Sequence, residues 1–133
     1  MLPLLATAAF AGGLPPDFDM ARVEADLHWL VEEIGPRVAG SAQERAAAEG
    51  VRERLRDAGW QPVDVGMTDN VVACRGSATR LFLAHTDTVA DSPGAIDNGA
   101  GVAVLLELAR STEATDLCLG FPVAEELGLV GSK

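Results

Sequence analysis

Residues 81–126 read LFLAHTDTVADSPGAIDNGAGVAVLLELARSTEATDLCLGFPVAEE and combine two kinds of apolar pattern. Residues 81–84 and 117–123 are short apolar runs of the kind that form buried strands. Between them, residues 102–109 are heavily apolar and follow a glycine-rich loop, which predicts a buried helix. A strand, a helix and a strand in this order are typical of a crossover unit in a largely parallel sheet. The sequence therefore predicts an α/β fold.

The chain before this unit predicts two helices and then two short strands. Asp17 or Asp19 is placed to cap the first helix, which Gly35-Pro36 ends. Apolar residues recur in it at helical spacing: Val23, Leu27, Leu30 and Ile34. The run Ser41-Ala42-Gln43-Glu44 has the pattern of a capping box and predicts the start of a second helix. Residues 60–65 and 70–73 have the pattern of short strands joined by a turn.

Composition excludes several classes of protein. The chain has 133 residues, of which 48% are hydrophobic, as expected for one globular domain. Ten Lys and Arg residues against twenty Asp and Glu residues argue against a nucleic-acid partner. No uncharged apolar run reaches the roughly 18 to 20 residues that span a bilayer. We interpret Cys74 and Cys118 as buried thiols on strands, with a disulfide between them as the alternative.

The first sixteen residues are set apart from the rest of the chain. They are apolar and rich in small residues, and Ala9-Phe10-Ala11 is similar to a signal-peptidase site. No Lys or Arg precedes Arg22, so the basic region of a secretory signal is missing. A clipped export signal and a disordered leader both remain open for residues 1–16, and residues 17–133 are expected to fold. We favour a secreted or periplasmic location over a cytoplasmic one.

Polar side chains follow both predicted strands of the crossover unit. His85 and Asp87 come after the first strand, and Glu125 and Glu126 after the second, while Asp97 lies on the loop before the helix. In open parallel sheets, ligands bind beyond the carboxyl ends of the strands. An imidazole and four carboxylates are therefore expected at one edge of the sheet.

Ion pairing does not explain this acidic cluster, because the nearest basic residues in the sequence are Arg80, Arg110 and Lys133. Carboxylates that are crowded without cations need protons or metal ions to offset their repulsion. A mixed set of histidine and carboxylate ligands with no nearby cysteine favours zinc over calcium, with manganese and cobalt as alternatives.

Each of these residues also has a purely structural interpretation. Asp97 or Asn98 is placed to be the N-cap of the helix that begins near residue 99, and Asp87 is placed to cap a turn. The pair Glu125 and Glu126 is placed to open a further helix, where the helix dipole favours acidic residues. Their combination, in this order and at these strand ends, favours a site.

Three linked motifs closely resemble the co-catalytic di-zinc aminopeptidases, metallopeptidase family twenty-eight. They are HTDT at residues 85–88, SPGAIDNGAGV at residues 92–102 and FPVAEELGLVGS at residues 121–132. GPRVAGS at residues 35–41 is similar to the segment that usually leads into the fold in that family. The resemblance covers about residues 19–133. It implies a three-layer α/β/α fold with a largely parallel central sheet, incomplete at the C-terminus. It also implies a peptide or aminoacyl substrate, whose N-terminal peptide bond is hydrolysed by a water that two zinc ions activate.

The resemblance implies a role for each residue of the predicted site. His85 and Glu126 would each ligate one zinc ion, and Asp97 would bridge both. Glu125 would be the general base that takes a proton from the attacking water. Asp87 would accept the other ring N–H of His85 and so fix its tautomer. The peptide bond between Asp97 and Asn98 becomes a candidate for the cis form.

The sequence also departs from the family in a way that keeps alternatives open. Members of the family supply an Asp and a His ligand after the Glu-Glu pair, and this sequence has no candidate for them beyond Glu126. A non-catalytic fragment of a longer enzyme, with weak zinc binding or none, is therefore the alternative to an active aminopeptidase. Related di-zinc carboxypeptidases and deacylases usually follow the bridging Asp with Met-Lys-Gly, unlike the Asn98-Gly99-Ala100 found here. Glutaminyl cyclases share the fold and are a further alternative, and the oligomeric state stays open.

Overall fold

A computed structural model describes residues 14–66 and 68–132, so the predicted leader lies almost wholly outside the described residues. The α-helices are α1 (Met20–His28), α2 (Ala42–Asp57) and α3 (Ala100–Ser111). The strands are β1 (Val63–Val65), β2 (Asn70–Gly76), β3 (Arg80–Leu83) and β4 (Asp116–Phe121). Wide helical turns follow α1 at Trp29–Ile34 and precede α3 at Ala95–Gly99, and a short 3₁₀ turn lies at Val130–Ser132. No helix in the described part of the chain has both the length and the apolar character needed to cross a bilayer.

The predicted helix starts are confirmed, with one change in the hydrogen bonds of α2. Asp19 caps α1, because its side chain accepts a hydrogen bond from the backbone N–H of Ala21. At α2, the Ser41 hydroxyl accepts from the backbone N–H of Glu44. The Glu44 carboxylate reaches back to the N–H of Gly40, however, one residue before the usual partner in a capping box.

The fold class is confirmed, and the described sheet is mixed. Its strand order is β1-β2-β4-β3. The crossover unit is present, because β3 pairs with β4 in parallel and α3 connects them. The other two pairs, β1 with β2 and β2 with β4, are antiparallel, which differs from the largely parallel sheet that we expected. A connection of four residues between β1 and β2 is too short for a parallel crossover, which explains their direction.

The helices cover one face of this sheet, so the described residues form two of the three expected layers. Side chains alternate between the faces of a strand, and the residues that point toward the helices are buried: Val71, Ala73, Leu117, Leu119 and Phe121. They join apolar residues of the helices, such as Leu55 and Leu106, in one core. On the opposite face, Val63, Leu81 and Leu83 are each more than half exposed.

The interpretation of the two cysteines as buried thiols is wrong. Cys74 of β2 and Cys118 of β4 lie directly opposite each other in the antiparallel register and form a disulfide. Their Cα atoms are 4.1 Å apart, and both side chains point to the sheet face that the helices leave open. The sequence gives no sign of this register, because the two cysteines are 44 residues apart.

Candidate metal centre

Loops at one edge of the sheet bring the predicted site residues together. The chain after β3 continues beside the end of β4, since the N–H of Thr86 donates to the carbonyl of Pro122. His85 therefore lies next to Glu125 and Glu126, which follow β4. Asp97 reaches the same place from the turn before α3. The parallel pairing of β3 and β4 is what places both strand ends at this edge.

The geometry of the cluster is compact. His85 Nε2 lies 2.9 Å from Asp97 Oδ1 and 3.8 Å from Glu125 Oε2. One ligand atom from each of His85, Asp97 and Glu126 lies within 4.8 Å of the other two. The exposed fraction of the His85 side chain is 10%, whereas that of Asp97 is 77%. The imidazole of His85 thus lies on the buried side of the cluster, and the Asp97 carboxylate lies on the side that is open to solvent.

Asp87 lies behind this cluster and is wholly buried. Its Oδ1 accepts from the backbone N–H of Glu125 and its Oδ2 from that of Glu126, each at 2.9 Å. His85 Nδ1 faces the same residue, 3.2 Å from the Asp87 carbonyl oxygen and 3.4 Å from carboxylate Oδ1. The Asp87 carboxylate therefore contacts the ring and also fixes the backbone of both glutamates, which the sequence did not predict.

The structural interpretation of Asp97 and Asn98 as a helix cap does not hold. The N-cap of α3 is Gly99, and no side chain accepts a hydrogen bond there. Asp97 has a non-helical backbone, with φ −115° and ψ 94°, and its carboxylate faces His85 instead. The peptide bond between Asp97 and Asn98 is cis, as the family resemblance indicated.

The carboxylates around His85 favour a positive charge at this position. The hydrogen bond to Asp87 raises the pKa of His85; burial opposes this change, and Asp97 and the charge of Glu125 add to it, so that the pKa is about 9. Burial raises the pKa of Asp87, but its hydrogen bonds from His85 and from the two glutamate amides outweigh that effect and lower it. The surrounding carboxylates stabilise the positive charge of a protonated imidazole. For the same reason they also favour a bound cation.

A buried arginine holds two of these loops together, and sequence analysis missed it. The Arg37 guanidinium donates to the carbonyl of Thr86, beside His85, at 2.7 Å. It also donates to the carbonyls of Pro93 and Gly94, which lead toward Asp97. Arg37 belongs to the motif at residues 35–41, so its presence was visible in the sequence, but its contacts with these two loops lie 49 to 57 positions away along the chain.

Comparison with known proteins gives a match over the second half of the chain. Residues 69–133 match the sequence model described as Peptidase family M28. Leupeptin-inactivating enzyme 1 of Streptomyces exfoliatus is 32% identical over an alignment 147 positions long, which covers 96% of this chain and 34% of that protein. Aminopeptidase YwaD of Bacillus subtilis (strain 168) is 51% identical over 53 residues, which cover 37% of this chain and 12% of that protein. The chain thus spans about a third of the length of the first relative.

Solved structures share the fold. Glutaminyl cyclase from Porphyromonas gingivalis aligns with a TM-score of 0.70 and 27% identity, over 88% of this chain and 49% of that one. BSAP, a zinc aminopeptidase from Bacillus subtilis, aligns with a TM-score of 0.72 and 17% identity, over 86% of this chain and 64% of that one. The expected zinc-aminopeptidase-like fold is therefore confirmed.

Proposed function

We propose, from the match of residues 69–133 to the sequence model of Peptidase family M28, that this protein is a zinc-dependent aminopeptidase that cleaves the N-terminal peptide bond of peptide or aminoacyl substrates. The observation that carries the proposal is the convergence of His85, Asp97 and Glu126, with Glu125 beside them. The likeness to aminopeptidase YwaD supports the choice of an N-terminal bond. In this proposal, residues 17–133 supply the N-terminal portion of the catalytic domain.

The donor atoms fit zinc. Oxygen and nitrogen ligands lie about 2.0 to 2.2 Å from zinc, so two donors on one ion are at most about 4.4 Å apart. The three candidate ligand atoms all lie within 4.8 Å of one another, which is close to that limit. An imidazole among carboxylates favours zinc over calcium, which takes oxygen ligands.

Each candidate residue then has one task. His85 and Glu126 would each hold one ion, and the exposed carboxylate of Asp97 would help to hold both. Bound zinc supplies an activated water and polarises the carbonyl of the scissile bond. Glu125 takes the proton of the attacking water, and its carboxylate is suited to this because it lies beside the ligand cluster and is partly open to solvent. Asp87 orients the His85 ring through its contacts with Nδ1.

We also propose that the protein works outside the cytoplasm. The support is the disulfide between Cys74 and Cys118, since disulfides persist mainly in oxidising compartments.

A second candidate function is glutaminyl cyclisation, which the likeness to the Porphyromonas gingivalis enzyme favours. One experiment tests both candidates. A longer protein that carries this sequence is incubated with an aminoacyl anilide and, separately, with a peptide that begins with glutamine. Release of the anilide that stops on chelation and returns with zinc supports the aminopeptidase. Cyclisation of the glutamine peptide without anilide release would favour the second candidate, and activity that chelators do not affect would contradict the zinc proposal.

A further inference from the structure

Four consecutive backbone N–H groups, at residues 123–126, are held by side chains from other parts of the chain. They lie just beyond β4, where the chain has left the sheet and no longer has a neighbouring strand to accept its hydrogen bonds. The acceptors come from β2, α2 and the loop after β3: Asn70, Glu44 and Asp87. Side chains therefore fix the backbone that carries the two glutamates of the candidate site.

Glu44 is the acceptor whose role goes beyond its own helix. Its Oε2 accepts from the N–H of Gly40 at 2.6 Å, and its Oε1 accepts from the N–H of Ala124 at 3.0 Å. Ala124 is 80 residues away in sequence, and Glu44 is 5% exposed. A carboxylate that only capped α2 would have no need of this second, distant partner. A carboxylate oxygen makes a strong hydrogen bond with a backbone N–H.

The residue that Glu44 holds has a strained backbone. Ala124 has φ 54°, in the left-handed region that residues other than glycine rarely adopt. That conformation is strained and persists only where surrounding contacts enforce it. Ala124 immediately precedes Glu125, so its conformation sets the direction in which the chain enters the glutamate pair.

We propose that Glu44 is a positioning residue for Glu125 and Glu126. Its bond to Ala124 holds the left-handed turn, and Asp87 holds the next two amides, so the two glutamate side chains point to His85 from a fixed backbone. Glu44 acts through this backbone, and its own side chain is bonded to Gly40 and Ala124. The proposal rests on the zinc site of the proposed function.

The test compares Glu44→Ala with Glu53→Ala in the 133-residue chain. Glu53 lies on the same helix with an exposed side chain, so its variant controls for the loss of one acidic residue from α2. Zinc affinity is measured by titration calorimetry, and amide exchange of residues 124–126 is measured by NMR without metal. Glu44→Ala is expected to weaken zinc binding about tenfold or more, as loss of a supporting hydrogen bond around a ligand does. It should also speed amide exchange at Glu125 and Glu126, although Asp87, which accepts hydrogen bonds from these two amides, is itself unaltered.

Glu44→Gln keeps the size of the side chain but leaves one acceptor oxygen instead of two, so it should have an intermediate effect on zinc affinity and exchange. It replaces the alanine variant if Glu44→Ala does not fold. A role confined to the helix start would lower the melting temperature and leave both zinc affinity and exchange at Glu125 and Glu126 unchanged. That result would overturn the proposal. If the unaltered chain bound too little zinc to titrate, the exchange data alone would decide the role of Glu44, and the proposed function would be judged separately by the chelation and zinc-return assay on the longer protein.

Discussion

At the scale of single residues, the adjacent glutamates offer the clearest test of the proposed roles. We expect Glu125→Gln to leave the zinc content nearly unchanged and to lower kcat by about 10² to 10⁴-fold, the usual contribution of a general base. Glu126→Gln should lose zinc, because its carboxylate belongs to the ligand cluster. Both are measured in a longer protein that carries this sequence, with kinetics on an aminoacyl anilide and elemental analysis. Equal zinc loss in the two variants would mean that base and ligand are assigned the wrong way round.

The residues of the ligand cluster could be predicted from the sequence, because each of them follows a strand or precedes a helix within a short motif. His85, Asp97 and Glu126 needed only the crossover unit to be placed together. The contacts of Asp87 with two amides and of Arg37 with two loops join residues 38 to 57 positions apart. Such contacts depend on the finished packing of several loops, which periodicity and motif spacing do not encode.

Between elements, α1 and α3 are joined by a buried acidic residue that links stability to pH. Glu107 of α3 has a side chain with no exposed surface and accepts from the Arg22 guanidinium and the backbone N–H of Asp19. Burial raises its pKa, but these bonds and one from Arg110 outweigh burial, so the net shift is downward. A carboxylate with a lowered folded-state pKa stabilises the fold above its unfolded pKa of about 4.3, and this contribution is lost as the pH falls through the folded value.

We therefore expect Glu107→Gln to lower the free energy of unfolding by about 1.5 to 3 kcal/mol at pH 7, the usual range for hydrogen bonds to a charged group. The difference from the unaltered chain should shrink as the pH falls below about 4. Urea unfolding across this pH range measures both, and Glu113→Gln, an exposed site near the end of the same helix, is the control. A difference that does not change with pH would contradict the role of the Glu107 charge.

The disulfide between β2 and β4 is a second feature of the elements with a direct test. Thiol counting under denaturing, non-reducing conditions should find no free thiol, because Cys74 and Cys118 are bonded. Reduction should lower the free energy of unfolding by about 2 to 4 kcal/mol, since it frees a loop whose two ends are 44 positions apart in the sequence. Two reactive thiols per chain in freshly purified, unreduced protein would restore the interpretation that the structure overturned.

The elements themselves followed from sequence patterns more closely than their arrangement did. Helical spacing, Asp19 and Ser41 located α1 and α2, and short apolar runs located β3 and β4. The antiparallel pairing of β2 with β4 was not predicted, because these strands are separated by β3 and α3 in the chain. The disulfide between the two cysteines depends on the register of β2 with β4. Because that pairing was not predicted, the disulfide was not predicted either.

Across the whole molecule, the same sheet that builds the site also leaves an apolar face open. Val63, Leu81 and Leu83 are exposed on the face without helices, among the residues that the structure describes. Exposed apolar surface of this kind favours association. The helices, by contrast, enclose a continuous core, so the described fold is well packed on one side only. The exposed apolar face should favour association of the 133-residue chain, and the number of metal ligands should limit its zinc binding.

We expect the 133-residue chain to bind zinc weakly and to show no peptidase activity. The described ligand cluster contains His85, Asp97 and Glu126, and if Asp97 bridges two ions, each ion has two of these ligands. Catalytic zinc sites normally have three protein ligands and a water, so both affinity and turnover should suffer. Elemental analysis of the purified chain and an assay on an aminoacyl anilide with added zinc measure the two properties. Two tightly held zinc ions and turnover that chelators abolish would show that further ligands come from another chain, because the cluster alone does not complete either site.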